Sequence, residues 1–247
     1  MTLSTTAVLH SEWIKVRSVR SVAGSLAAVL LVTLTVTVLV NATVGRAEAD
    51  NPGADLLFNA FYAMNFGQIA AICFGTTAIS SEYVGGALRI SLTAVPRRDL
   101  LYGAKMAVVG VSALVVGLVT SFSALLVGQM FMGEYAIGLR DPGALRAVFG
   151  GGMYLALMAL FAAGLTVLLR SAAAVLGLLI PFVLVVPFVI GEVAGGAARY
   201  LPDRAGQLVL HQSPQGGIGP WSGLAVAAAW AVAALLAGRW AIRHRDA

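Results

Sequence analysis

The chain has 247 residues, of which 59% are hydrophobic and only 11% carry a charged side chain. A soluble domain of this length carries roughly a quarter charged residues, so this chain lacks the polar groups needed to cover a water-facing surface. Its net charge of +5 comes from basic residues dispersed over loops without interleaved aromatic residues, which does not indicate nucleic-acid binding.

Six segments lack Asp, Glu, Lys and Arg, and each can supply the roughly 20 residues that a helix needs to cross a bilayer. They are apolar on all sides and do not alternate with period two, so helices are predicted and a barrel is disfavoured. We therefore predict an all-α polytopic membrane protein that forms one transmembrane domain over residues 1–247. The predicted spans are residues 22–44, 57–80, 106–131, 147–169, 172–193 and 221–240.

Residues 1–21 predict an amphipathic helix that lies in the membrane interface before the first span. Trp13 falls on its apolar face and is expected at headgroup depth. Lys15, Arg17 and Glu12 are expected to lie away from that face. A solvated basic leader is the alternative. The first span exceeds twenty residues, whereas a cleavable signal sequence has an apolar region of about 7–15, so we expect the segment to be retained.

The second span contains uncharged polar residues that are candidates for helix contacts or for a substrate path. They are Asn65, Gln68, Thr76 and Thr77. Such groups hydrogen-bond to neighbouring helices or line a polar cavity, and contacts between helices are the favoured interpretation.

The fifth span contains two prolines, Pro181 and Pro187, which are expected to kink it by removing backbone hydrogen bonds. Glu192 is expected near the outer end of this span. The outer loop that follows, residues 195–219, is too long for a simple turn, and we expect short helices that dip into the outer interface.

Residues 81–105 form the longest predicted inner loop and are named the connector. Pro96 cannot continue a helix that precedes it but suits the first turn of the next one. A short helix should therefore end near Val95, and another should begin there. Asp99 falls in the first turn of that second helix, where the helix dipole favours an anion. The connector combines apolar anchors with charge, as expected of a surface offered to a soluble partner.

The basic residues predict cytoplasmic N- and C-termini, since they concentrate on one side of a six-span layout. Eleven of the sixteen fall in the predicted inner segments: Lys15, Arg17, Arg20, Arg89, Arg97, Arg98, Lys105, Arg170, Arg239, Arg243 and Arg245. The other five fall in the predicted outer segments.

The two inner segments resemble the membrane subunit of ABC-2 type transporters, particularly the short actinobacterial type. The residues that carry the resemblance are 12–21 (EWIKVRSVRS), Ser81-Glu82-Tyr83, Gly86, Arg89, 92–98 (LTAVPRR) and Lys105. The resemblance implies the type V exporter fold, with six helices, a helix before the first span, a coupling helix between spans two and three, and re-entrant helices before span six. It also implies paired membrane subunits that each dock a separate ATPase.

On this resemblance, we expect the permease subunit of an ATP-driven exporter in the plasma membrane, paired with a second copy of itself or with a homologous permease. Its cargo would be a lipophilic drug, a peptide or a lipid-like molecule. The docking contacts would come from the connector residues Glu82, Tyr83, Arg89, Pro96, Arg97 and Arg98, while Gly85 and Gly86 would permit close approach. Lys105 is expected only to contribute to the charge asymmetry.

The chain is not expected to be an enzyme or to hold a cofactor, because neither of its two lysines, Lys15 and Lys105, lies in a phosphate-binding loop. ATP and Mg would bind to the partner ATPase. The alternative function is an ion-coupled secondary transporter or channel without an ATPase, although the spans contain few of the ionisable groups that such carriers use. An intramembrane serine hydrolase is disfavoured because the three histidines lie outside the spans.

Overall fold

The computed structural model describes residues 4–83, 87, 91, 93, 95, 97–186, 189, 195–213 and 217–244, which form helices and loops with no strand among them. The predicted all-α class is confirmed. The α-helices are α1 (Thr5–Ser18), α2 (Arg20–Thr43), α3 (Gly45–Ala49), α4 (Leu56–Phe61), α5 (Met64–Ser80), α6 (Arg98–Gln129), α7 (Ala144–Leu169), α8 (Ala172–Leu184), α9 (Pro202–Gln207) and α10 (Pro220–His244). Short 3₁₀ helices lie at Gly133–Tyr135, Gly195–Tyr200 and Leu208–Leu210.

Within the described residues, five helical segments are long and apolar enough to cross a membrane. They are Arg20–Thr43, Leu56–Ser80, Arg98–Gln129, Ala144–Leu169 and Pro220–His244. The helix in the predicted fifth span, α8, has 13 residues and contains Pro181 three residues before its end. Pro187 and Glu192 lie outside the described residues, so the count of six spans stays a prediction.

The second span is interrupted between α4 and α5, where a continuous helix was expected. The amide of Tyr62 bonds to the carbonyl of Asn59, and the amide of Asn65 bonds to the carbonyl of Tyr62. Both bonds have the shorter three-residue spacing of a 3₁₀ turn. The Asn65 side chain also donates to the Tyr62 carbonyl at 3.0 Å, and such local side-chain bonds compete with the regular helical pattern.

Helix α7 forms the centre of the bundle and contacts α5, α6 and α10. Glycines allow the backbones to approach closely at these contacts, as is common in membrane helices. A Cβ atom on Gly75 would lie 2.0 Å from the carbonyl oxygen of Ala159, and one on Gly164 would lie 2.6 Å from the carbonyl carbon of Ala234. These two positions set the separation of α7 from α5 and from α10.

The segment before α10 contains the short helix α9, which packs against other helices. The expectation that short helices dip into the outer interface stays a prediction. Pro202, Ala205 and Gly206 are buried, because α9 lies against α7 and α10. A Cβ on Gly206 would lie 2.4 Å from the Tyr154 ring, and one on Gly223 would lie 2.2 Å from the Ala205 carbonyl oxygen. The glycines thus make room for a helix that enters the bundle.

The two ends of the bundle carry different groups. One end, named the connector end, contains α1, the start of α6 and the end of α10, which are joined by side-chain bonds. The other, named the opposite end, contains Asp55 at the start of α4. Asp55 accepts hydrogen bonds from the amides of Phe58 and Gln212 and pairs with His211.

We predict that Gly75→Ala destabilises the protein by about 1–3 kcal/mol, because the added methyl group overlaps the backbone of α7 and forces the helices apart. The measurement is the thermal unfolding midpoint of the detergent-purified chain. Gly177→Ala on α8 is the matched control, since a Cβ there meets no atom within 4 Å. Equal midpoints for the two variants would contradict the close approach.

Candidate functional site

Four charged side chains from three separate segments meet at the connector end, and we name them the charge cluster. They are Glu12 and Lys15 of α1, Glu82 of the connector, and Lys105 of α6. The Lys15 ammonium lies 2.7 Å from a Glu12 oxygen and 2.9 Å from a Glu82 oxygen. The Lys105 ammonium lies 2.9 Å from Glu12 and 2.7 Å from Glu82. Each ammonium therefore bridges both carboxylates.

The cluster is mostly removed from solvent. The side chain of Glu12 is 2% exposed, that of Glu82 8%, that of Lys105 12% and that of Lys15 37%. The four charges sum to zero. Removing one partner from a buried pair is strongly destabilising because it leaves an uncompensated charge in a poorly solvated place. The pairing of the four charges thus fixes α1, Glu82 of the connector and α6 relative to one another.

The pKa shifts of Glu82 and Lys15 agree with this arrangement. Burial by itself would raise the pKa of Glu82, but the two lysines outweigh it and hold the pKa below its usual value. Burial would lower the pKa of Lys15, but the hydrogen bonds to Glu12 and Glu82 outweigh it and raise the pKa. All these shifts favour the charged forms.

The connector has a second attachment to α1. The Lys15 ammonium donates to the Ser91 hydroxyl at 3.2 Å, and a cavity of about 190 Å³ lies between α1, the connector and α6. Residues 87, 91 and 93 are helical, and the Val95 amide bonds to the Ser91 carbonyl with helical spacing. The described part of the connector therefore contains helix and is bound to α1 at two points.

The start of α6 is also bound to the end of α10. Asp99 pairs with Arg239 and Arg243, and the Tyr102 hydroxyl donates to the Leu235 carbonyl at 2.7 Å. Arg98 donates to the Ile242 carbonyl at 2.9 Å. Asp99 lies in the first turn of α6, as predicted.

The predicted docking residues differ in how far they are exposed to solvent. Arg97 is exposed, Tyr83 and Arg98 are half-buried, and Glu82 is buried. Glu82 faces two lysines of its own chain, so it is not available as a direct contact for a partner. Gly85, Gly86, Arg89 and Pro96 lie outside the described residues.

Helix α1 differs from the predicted amphipathic helix. Its buried stripe is Val8, Glu12 and Val16, spaced four residues apart, and Val8 packs with Leu101 and Ala104 of α6. Glu12 was expected to lie away from the apolar face, but Lys105 of α6 pairs with it on the protein side. Trp13 and Arg17 are exposed, and Lys15 joins the cluster.

Lys105 also differs from expectation, since it is a member of the cluster and not only a loop charge. Its partners are 93 and 23 positions away in the sequence, beyond the reach of helical periodicity. The sequence did contain a hint that these four residues pair. Lys15 and Lys105 are the only lysines in the chain, and Glu12 and Glu82 are the only glutamates in its predicted inner segments.

A polar network lies inside the bundle, toward the opposite end. The Tyr154 hydroxyl donates to Gln68, and Gln207 donates to Asn65 at 2.9 Å. Gln207 also donates to the Tyr154 hydroxyl at 3.3 Å. Asn65 and Gln68 therefore make contacts between α5, α7 and α9.

The two threonines of the second span do not belong to this network. Thr77 donates to the carbonyl of Cys73 within its own helix, at 2.7 Å. The buried Thr76 hydroxyl has no hydrogen-bond partner in the described part of the chain.

Asp203, the second residue of α9, is a buried acid that sequence reasoning missed. It is 4% exposed, and its Oδ1 atom has no hydrogen-bond partner among the described residues. Burial raises the pKa of Asp203 to about 6, against the opposing effect of backbone amides and of Arg204. In the sequence Asp203 is one charged residue in a polar loop. Only the packing of α9 shows that it is buried.

The fold and the cluster together define a multi-pass α-helical membrane protein whose connector is anchored by buried charge. A sequence model of the family described as ABC-2 family transporter protein matches residues 8–188. The chain belongs to this family, whose members are membrane permease components of ABC transporters and are not themselves catalytic. The matched range includes all four cluster residues. A search of curated proteins found no significant match.

We predict that Lys105→Met lowers the free energy of unfolding by about 3 kcal/mol or more, because both glutamates then share one lysine. The double variant Glu12→Gln/Lys105→Met retains the balanced Lys15–Glu82 pair, so its loss should be smaller than the sum of the two single losses. Denaturant unfolding of the four proteins in detergent measures this coupling. Arg17→Gln, an exposed change on α1, should have no effect, and strict additivity would contradict the cluster.

We predict that stability falls between about pH 4 and pH 7 because of Asp203. A folded-state pKa near 6 exceeds the usual value of 3.8, so its contribution is complete below pH 3.8 and is lost as the pH rises through 6. The loss is about 3 kcal/mol for a shift of roughly two units. Asp203→Asn should remove this part of the pH dependence of the unfolding midpoint, whereas Asp141→Asn at an exposed site should not. A wild-type dependence that persists in Asp203→Asn would contradict this assignment.

Proposed function

We propose that this chain is the permease subunit of an ATP-driven ABC exporter and that its connector docks a separate cytoplasmic ATPase. The observation that carries the proposal is the charge cluster, which binds the connector to both α1 and α6 through Glu82. A loop that only joins two spans needs no such anchor. A loop that receives force from another protein does.

The charge cluster lets a displacement of the connector reach two helices of the membrane domain, α1 and α6. Helix α6 continues for 32 residues from the docking region, so displacement of its start displaces the whole helix. Asp99 and Tyr102 extend the attachment to α10. ATP-driven closure of the ATPase would move the connector, α1 and α6 together and switch the side from which the transport path is open.

The docking contacts are assigned to Arg97, which is exposed, to Tyr83, which is half-buried, and to Arg89, which the family resemblance places among them. Arg97 and Arg89 would contact acidic groups of the ATPase, and Tyr83 would add an apolar contact at the rim. Gly85, Gly86 and Pro96 would shape the docking loop. Glu82 and Arg98 act as positioning residues, since Glu82 is paired with lysines and Arg98 donates to the end of α10.

The proposed orientation has the connector and both termini in the cytoplasm of a plasma-membrane protein. Two observations support it: the eleven-to-five distribution of basic residues, and the position of α1 and the end of α10 at the same end of the bundle. ATP and Mg would bind to the ATPase and not to this chain. A second permease copy would complete the transport path for a lipophilic drug, a peptide or a lipid-like molecule.

Asp203 favours one other function, ion-coupled transport without an ATPase. A buried carboxylate with an unpaired oxygen is the kind of group that such carriers use to bind a proton or a cation. The two functions differ in their energy source. Transport into proteoliposomes that contain only this chain, driven by a pH gradient, would support the second function and refute the first.

We predict that Arg89→Glu/Arg97→Glu reduces the co-purification of the ATPase encoded beside this chain at least tenfold, because the reversed charges repel its acidic contact surface. The measurement is the amount of ATPase retained on the tagged, membrane-extracted permease, together with permease-stimulated ATP hydrolysis.

The matched control is Arg46→Glu, an exposed arginine at the opposite end, which should leave ATPase retention unchanged. Equal retention by both variants would refute docking at the connector. In a Cys73→Ala background, labelling of Arg97→Cys by an impermeant maleimide applied outside intact cells would refute the orientation.

A further inference from the structure

A second cavity lies at the opposite end of the bundle. It occupies about 430 Å³ between the last turn of α2, the short helix α3 and helix α4. This volume is within the range of small-molecule sites in proteins. The side chains that define its chemistry are Val40, Val44, Glu48, Phe58, Asn59 and Tyr62.

Two aromatic rings and two valines supply the apolar surface of this cavity. The rings of Phe58 and Tyr62 meet edge to face, with centroids 6.5 Å apart and an angle of 88°. Tyr62 is 42% exposed, so a ligand can reach its ring. His211 stacks on Phe58 at a centroid distance of 4.1 Å and is itself held by Asp55, which fixes the orientation of the inner ring.

Among the described residues that line the cavity, Glu48 is the one that carries a charge. Its carboxylate has no ion-pair partner in the described part of the chain and accepts one hydrogen bond from Asn51 at 3.3 Å. The nearby Arg46 forms no ion pair with it among the described residues, and its Nε donates instead to the Phe131 carbonyl at 2.8 Å. The Asn59 carboxamide, half-buried in the wall, likewise has no hydrogen-bond partner among the described residues.

These groups discriminate among classes of ligand. An anion would be repelled by Glu48, and a hydrocarbon chain would leave the Glu48 charge without a counter-ion and Asn59 without a hydrogen-bond partner. A bare metal ion would find one carboxylate and no complete set of oxygen ligands. An organic cation satisfies the site, because its charge interacts with Glu48 and with the face of an aromatic ring, while its apolar body contacts the valines.

We propose that this cavity is a binding site for an amphipathic organic cation, with the cationic centre between Glu48 and Tyr62 and the apolar body against Val40 and Val44. The proposal concerns binding and does not depend on ATP-driven export. If export also operates, the site would hold cargo near its point of release. The proposed occupant is a soluble cation. The test below excludes a lipid headgroup, because its detergent contains no cationic group.

The test is equilibrium dialysis of tetraphenylphosphonium against the full chain purified in a maltoside detergent, which contains no cationic group. We expect saturable binding that Glu48→Gln weakens about three- to fivefold, as for a partly solvated ion pair. Tyr62→Leu should weaken it by a similar factor through loss of the ring face. Tetraphenylborate, an anion of the same shape, should bind more weakly than the cation to wild type, and Glu48→Gln should reduce this preference.

Glu134→Gln is the matched control, since Glu134 is an exposed carboxylate that does not line the cavity. It should bind the cation as wild type does. Equal affinity of wild type, Glu48→Gln and Tyr62→Leu would overturn the proposal, as would equal affinity for cation and anion in the wild type. Because Glu48 and Tyr62 are both exposed, each variant should retain the wild-type unfolding midpoint. Loss of binding by either variant together with an unchanged midpoint supports the site.

Discussion

Two carboxylates and two ammonium groups are held together at the connector end, and none of them can lose its partners without a large energetic cost. This requirement organises one end of the molecule. It turns Glu12 toward the protein, draws Lys105 to both glutamates and binds the connector to α1 and α6. The attachment of Asp99 to Arg239 and Arg243 then joins α10 to the same body. The described part of the connector is thus attached through Glu82 to α1 and α6.

The opposite end is held by different forces. Hydrogen bonds among Tyr154, Gln68 and Gln207 join α5, α7 and α9, and glycines let α9 enter the bundle. A single buried acid, Asp203, and an open cavity beside α3 lie at this end. Ionic contacts at the connector end and weaker polar contacts at the opposite end would suit the proposed exporter, in which an ATPase acts on the connector end.

The spanning helices were predictable because length and apolar composition decide them, and short local motifs pointed to the family. The charge cluster was not predictable from these signals. Periodicity assigned Glu12 to the face with the other charges, since a helical pattern contains no information about a lysine 93 positions away. Asp203 was missed for the same reason: burial of α9 depends on Gly206 and Gly223 meeting distant partners. The break before α5 coincides with a local side-chain bond of Asn65 and with backbone bonds of 3₁₀ spacing, and neither can be read from composition.

If the charge cluster joins α1 to α6, the two helices move as one body when the connector is displaced. The distance between spin labels at Arg17→Cys on α1 and Gly103→Cys on α6, two exposed positions, tests this in a Cys73→Ala background. It is recorded for the complex with the proposed ATPase, nucleotide-free and with ATP trapped. We expect the same narrow distance distribution in both states, and a broad one when Lys105→Met is added. A wild-type distance that changes on ATP binding would show that the two helices move separately.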